Sequence, residues 1–114
     1  MRLRSTVAAA LAAAALVLTL PTSAQAAEGR FTYVFHDWAH GDRVGVLDDP
    51  PSGRCITLPE VAYEDTPPAD SPRNDTDATA TVFTGADCRG DYFSLRPFGG
   101  RASERLKLRS VVFS

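Results

Sequence analysis

Two imidazoles and a carboxylate fall within five residues in His36-Asp37-Trp38-Ala39-His40, side chains able to hold a transition metal. Histidines at i and i+4 share a face only on a helix. This stretch lies between two strand-like runs, where that spacing has no such consequence. The expected picture is an exposed hairpin tip over Trp38–Asp42, with Trp38 either a partner contact, because tryptophan anchors interfaces, or a cover for the edge of the core. Asp48-Asp49 is a carboxylate pair, but adjacent residues in a D-D-P-P turn face solvent. G-x-S-x-G, H-E-x-x-H and glycine-rich phosphate-loop patterns are absent, and nothing positions a Ser/His/Asp set. The expectation is a protein that is not an enzyme. Arg89-Gly90-Asp91 spells an adhesion tripeptide, yet a glycine between two strand-like runs has a plainer use in a turn.

Cys55 and Cys88 are the only cysteines. The chain opens with Arg2 and Arg4, continues with an uncharged apolar run from Val7 to Leu20, and reaches Ala24-Gln25-Ala26. That is the layout of a secretory signal peptide, 1–26, cleaved after Ala26. The run is short for a membrane span. The mature chain, 27–114, is then one small extracellular domain with no membrane segment. Export places both cysteines in an oxidising compartment, so they are read as one disulfide.

Residues 27–77 carry eleven acidic side chains against four arginines, and residues 78–114 carry six basic against three acidic. The acidic total argues against a nucleic-acid binder, which shows a dominant basic face. It also argues against a cationic membrane-active peptide.

Short runs rich in aromatic and β-branched residues, separated by turn residues, set the elements that must position these groups. They are Phe31–Phe35, Arg43–Leu47, Cys55–Leu58, Thr79–Phe83, Tyr92–Leu95 and Leu106–Phe113. Between them, Glu60–Asp77 contains Pro67, Pro68 and Pro72 and reads as an exposed, mobile loop. Six short strands without helices imply an all-β sandwich or small barrel. Ser52–Leu58 aligns with Arg89–Leu95, each with glycine second and leucine five residues later. This suggests repeat-like halves of about 42–82 and 81–114.

Phe83-Thr-Gly-Ala-Asp-Cys88-Arg-Gly90 resembles a Greek-key motif of the βγ-crystallin family, with Cys88 replacing the second aromatic. The resemblance covers about 42–114. It implies a small sandwich of two Greek keys, with Gly53 and Gly90 in folded hairpins and Thr79 and Ser110 as the hydroxyls that tack them down. It also implies calcium as a possible cofactor. Asn74, Asp75 and Thr79 fall on ligand positions, while Ala78 replaces a hydroxyl; Arg105, Leu106 and Arg109 replace ligands in the second repeat. Calcium binding is therefore expected to be weak or lost.

The function expected is a secreted, monomeric, non-catalytic module with a binding or structural role. Its partner would be an extracellular protein met by Trp38, Pro67 and Pro68. The alternatives are an inhibitor of secreted proteases, as the resemblance also allows, and a toxin or antimicrobial protein.

Overall fold

The computed structural model describes residues 26–114. The expected signal segment lies outside these residues, apart from Ala26. Eight strands form: β1 Gly29–Asp37, β2 Gly41–Asp48, β3 Cys55–Thr57, β4 Asp70–Thr76, β5 Ala80–Phe83, β6 Tyr92–Leu95, β7 Gly100–Arg101 and β8 Ser110–Phe113. They make two antiparallel sheets, ordered β2-β1-β4-β7 and β3-β8-β5-β6. Two short 3₁₀ turns, Pro59–Val61 and Ala86–Cys88, complete the regular structure among the described residues.

Alternation in β1 places Phe31 and Tyr33 on one buried face. Phe31 meets Phe113 of the other sheet edge to face, with ring centroids 5.5 Å apart. Leu58, Val61, Val82, Leu95, Leu108 and Val111 fill the space around them. Tyr33 pairs with Gly45 of β2. A Cβ on Gly45 would lie 2.3 Å from the Tyr33 ring, so this glycine makes room for the phenol. The Tyr33 hydroxyl then donates to Glu60 at 2.6 Å. Burial first, and the Glu60 carboxylate second, push its pKa upward.

The disulfide forms as expected. Cys55 in edge strand β3 bonds Cys88 in the β5–β6 hairpin, with Cα atoms 6.0 Å apart. It closes a separation of 33 residues, which the chain-entropy model values at roughly 3–4 kcal/mol.

Two sequence expectations change. The segment 60–77 is not an extended mobile loop, because its second half is β4, hydrogen-bonded between β1 and β7. Asp70, Pro72, Asn74 and Thr76 alternate inward. These are residues that a search for apolar alternation passes over, and each buried polar side chain among the described residues finds a partner. Pro72 is tolerated because the ladder is already broken there. Thr32 pairs with Arg73 but Val34 with Asp70, a bulge that leaves Ser71 at φ 52°.

The internal correspondence also shifts. Each sheet consists of a hairpin, the last strand of the same half beside the hairpin's first strand, and an edge strand lent by the other half. By that pattern β1, β2 and β4 group with β7, and β5, β6 and β8 with β3. Phe31–Phe35, outside the stretch that the resemblance covers, lies in β1 between β2 and β4.

Candidate functional site

The β1–β2 hairpin turns at Trp38-Ala39-His40, and Gly41 takes φ 76°. His36, at the end of β1, lies opposite Asp42 of β2. Its Nδ1 is 2.6 Å from Asp42 Oδ1, and its Nε2 is 2.7 Å from Asp70 Oδ2 at the start of β4. As imidazolium, His36 donates to both carboxylates and clamps the hairpin to β4. The bond to Asp70, then that to Asp42, raises its pKa. Burial pushes the Asp70 carboxyl up, but His36, the Ser71 hydroxyl and Lys107 (Nζ 3.6 Å away) together bring it below the usual range.

The second histidine goes elsewhere. His40 Nδ1 approaches Asp37 Oδ2 at 3.1 Å, while the Ala39 N–H donates to the other Asp37 oxygen at 2.8 Å. These bonds, the backbone one first, lower the Asp37 pKa. The two histidines therefore do not converge, and both nitrogens of His36 are occupied. No cluster suited to a metal ion forms among the described residues.

Facing the hairpin is the segment between Val61 and Ala69. Its carbonyls are gathered by one guanidinium. Arg109 Nη1 donates to Val61 O at 3.0 Å and Tyr63 O at 2.7 Å, and Nη2 donates to Thr66 O at 2.7 Å. Arg109 is itself 8% exposed. A planar fork with five N–H donors suits a ring of carbonyls in a way an ammonium does not. Tyr63, Glu64 and Asp65 project outward from this anchored base.

Trp38 and Pro67 come together across the gap. They line an open groove of ≈ 310 Å³ with Phe35, His36, Asp37, Glu60 and Thr66. Trp38 is 91% exposed. Pro68 is half-buried beside the groove and does not line it. An indole standing free over an apolar groove, on a hairpin braced at its root, offers a contact surface.

The other expected residues take structural places. Gly90 has φ 89°, and a Cβ there would lie 2.3 Å from Thr84 Oγ1, which accounts for the glycine of the tripeptide. Ser110 Oγ donates to Gly85 O at 2.6 Å and accepts from the Cys88 N–H at 2.8 Å, tying down the β5–β6 hairpin. Gly53 lies in the turn between β2 and β3, and Thr79 in the link to β5. Neither occupies a hairpin.

Asn74, Asp75 and Thr79 are not brought together as ligands. Asn74 is fully buried, and its amide donates to Ala78 O, Leu95 O and Arg96 O. Its Oδ1 accepts from the Thr76 hydroxyl at 2.7 Å. Asp75 accepts from Arg73 Nε at 2.7 Å. Arg109 and Asp70 were missed as positioning residues. Arg109 carried little signal of its own, because the run Leu106–Phe113 also contains Lys107 and Ser110.

No protein-family model, curated protein or solved structure matches the chain.

Proposed function

We propose that the chain is a secreted, non-catalytic binding module, a sandwich of two interlocked Greek keys similar to βγ-crystallins, whose working surface is the Trp38–Pro67 groove. The observation that carries this reading is Trp38, almost wholly exposed on a braced hairpin beside an anchored loop. A folded domain gains nothing in its own core from an indole held in water, whereas a partner that covers it gains a large apolar area. The exchange of edge strands between halves supports the Greek-key reading. The disulfide suits an extracellular setting. Calcium has no part in the proposal, because Asn74 presents donors inward rather than oxygens outward.

A second reading, inhibition of secreted proteases, gains from Arg109. An inhibitory loop must stay rigid when docked. Tyr63-Glu64-Asp65 projects from a base held by side-chain hydrogen bonds rather than by a disulfide of its own.

The test is retention of extracellular proteins by immobilised 27–114 and by its Trp38→Ala variant, followed by titration of purified secreted serine and metalloproteases. The proposal expects a retained protein whose affinity falls at least about 30-fold in the variant, the range of an interface hot spot. Equal retention by both forms would overturn the groove as the working surface. Stoichiometric inhibition lost on replacing Tyr63–Asp65 would select the second reading.

A further inference from the structure

A second cavity forms beside β5 and β6, where the inner face of one sheet is left uncovered. In the β5–β6 ladder, Val82 pairs with Phe93 and Ala80 with Leu95. Phe93 and Leu95 share a face, since they are two residues apart on one strand. Leu95 is 2% exposed and Val82 2%, yet Phe93 remains 49% exposed. The facing sheet ends in β7, only two residues long. An inward-facing ring therefore opens to solvent, in a pocket of ≈ 290 Å³. That volume is at the small end of the range for ligand sites. Its apolar floor is Val82, Phe93 and Leu106, and its rim includes Arg105, Lys107 and Asp91.

The rim charges are unequal. Arg105 is exposed and has no ion pair among the described residues. Lys107 lies 3.6 Å from Asp70 and is half exposed. Asp91, at the mouth of β6, is the single acidic group of the lining. Arg105 without an ion pair, beside Lys107 that already faces Asp70, over a floor with an aromatic ring and two aliphatic side chains, complements a molecule with an apolar body and one negative group. The guanidinium fork pairs with a carboxylate through two parallel bonds.

We infer that this pocket binds a small amphiphilic carboxylate, its apolar part against Phe93 and Leu106 and its carboxylate at Arg105 and Lys107. The site shares no lining residue with the Trp38 groove, although Lys107 lies 3.6 Å from Asp70, the carboxylate that His36 of that groove contacts. It does not depend on the function proposed for the groove.

The experiment titrates ¹⁵N-labelled 27–114 with 4-phenylbutyrate and, in parallel, with neutral 4-phenylbutanamide, following backbone amide shifts. Saturable shifts confined to residues 82–84, 91–93 and 105–107 are expected with the carboxylate, and at least tenfold weaker binding with the amide. Arg105→Gln should weaken carboxylate binding to about the level of the amide, and Asp91→Asn should tighten it. These opposite signs separate a charge-reading site from a general apolar crevice. Both residues are exposed, so neither variant should disturb folding, and Trp38→Ala should bind like the parent. Equal affinity for acid and amide, insensitivity to Arg105→Gln, shifts elsewhere, or no shift at millimolar ligand would overturn the inference.

Discussion

At the residue scale, the site rests on two charged side chains used as clamps. His36 bridges Asp42 and Asp70, and the pKa directions of His36 and Asp70 fix how stability must vary with pH. The folded-state pKa of His36 is raised above 6.5, so its contribution is complete below that value and is lost as pH rises through the folded-state pKa. The folded-state pKa of Asp70 is lowered below 3.8, so its contribution is complete above that value and is lost as pH falls through the folded-state pKa. The clamp should thus be strongest between about pH 4 and 6.5. Thermal midpoints measured across pH should decline on the alkaline side of this window, and His36→Gln should flatten that decline. An unchanged slope in the variant would remove His36 from the clamp.

Arg109 is the second clamp. Hydrogen bonds from a charged donor contribute about 1.5–3 kcal/mol each, and losing the donor leaves the loop carbonyls without it. Arg109→Met should destabilise the fold by about 3 kcal/mol. It should also open residues 62–68 to rapid proteolysis while the rest of the chain resists. Arg109→Lys should restore little, since an ammonium cannot span the same set of carbonyls. A variant that resists proteolysis like the parent would show that the loop is held by other contacts.

At the element scale, the strands legible in the sequence were runs rich in aromatic and β-branched residues. Phe31-Thr-Tyr-Val-Phe35 and Tyr92–Leu95 are both strands, although β6 buries only Leu95. β4 was hidden because Asp-Ser-Pro-Arg-Asn-Asp-Thr uses polar side chains inward. Its inward face is satisfied by groups remote in sequence, including His36, Leu95 O and Arg96 O. No local pattern could report those partners. Gly53 and Thr79, matched to Gly90 and Ser110 by spacing, lie in links between strands of different sheets. Cys55 and Cys88 were legible because the sequence reads as that of an exported chain, in which two cysteines have one simple use. The prominence of Trp38 was legible too, but its meeting with Pro67 depends on β4 bringing the preceding loop beside the hairpin.

Asn74 tests this account of β4. Asn74→Ala would leave three carbonyls without its amide and should cost about 2–3 kcal/mol in chemical denaturation. The thermal midpoint of the parent should be the same in excess calcium and in excess chelator, because a ligand that binds only the native state raises it. A clear rise with calcium would show that oxygens near Asn74 are available after all.

At the scale of the whole molecule, two cavities open on a stapled sandwich. Phe31 and Phe113 join the sheets at the centre, and Cys55–Cys88 ties the edge strand β3 to the β5–β6 hairpin. The acidic excess of residues 27–77 accompanies the Trp38 groove, and the basic excess of 78–114 accompanies the Phe93 pocket. A partner of the groove should therefore present cations around an apolar centre. Its association should slow as salt screens the attraction.

Trp38 is the only tryptophan in the chain, so its fluorescence reports on the groove alone whenever the partner signal is subtracted or the partner lacks tryptophan. The most direct test of the proposed working surface is to follow that emission while the mature protein binds the extracellular protein it retains. The account predicts emission typical of a hydrated indole in the free protein, then a blue shift and protection from acrylamide quenching that saturate at the binding stoichiometry. Binding that leaves the emission and its quenching unchanged would place the partner elsewhere and contradict the central claim.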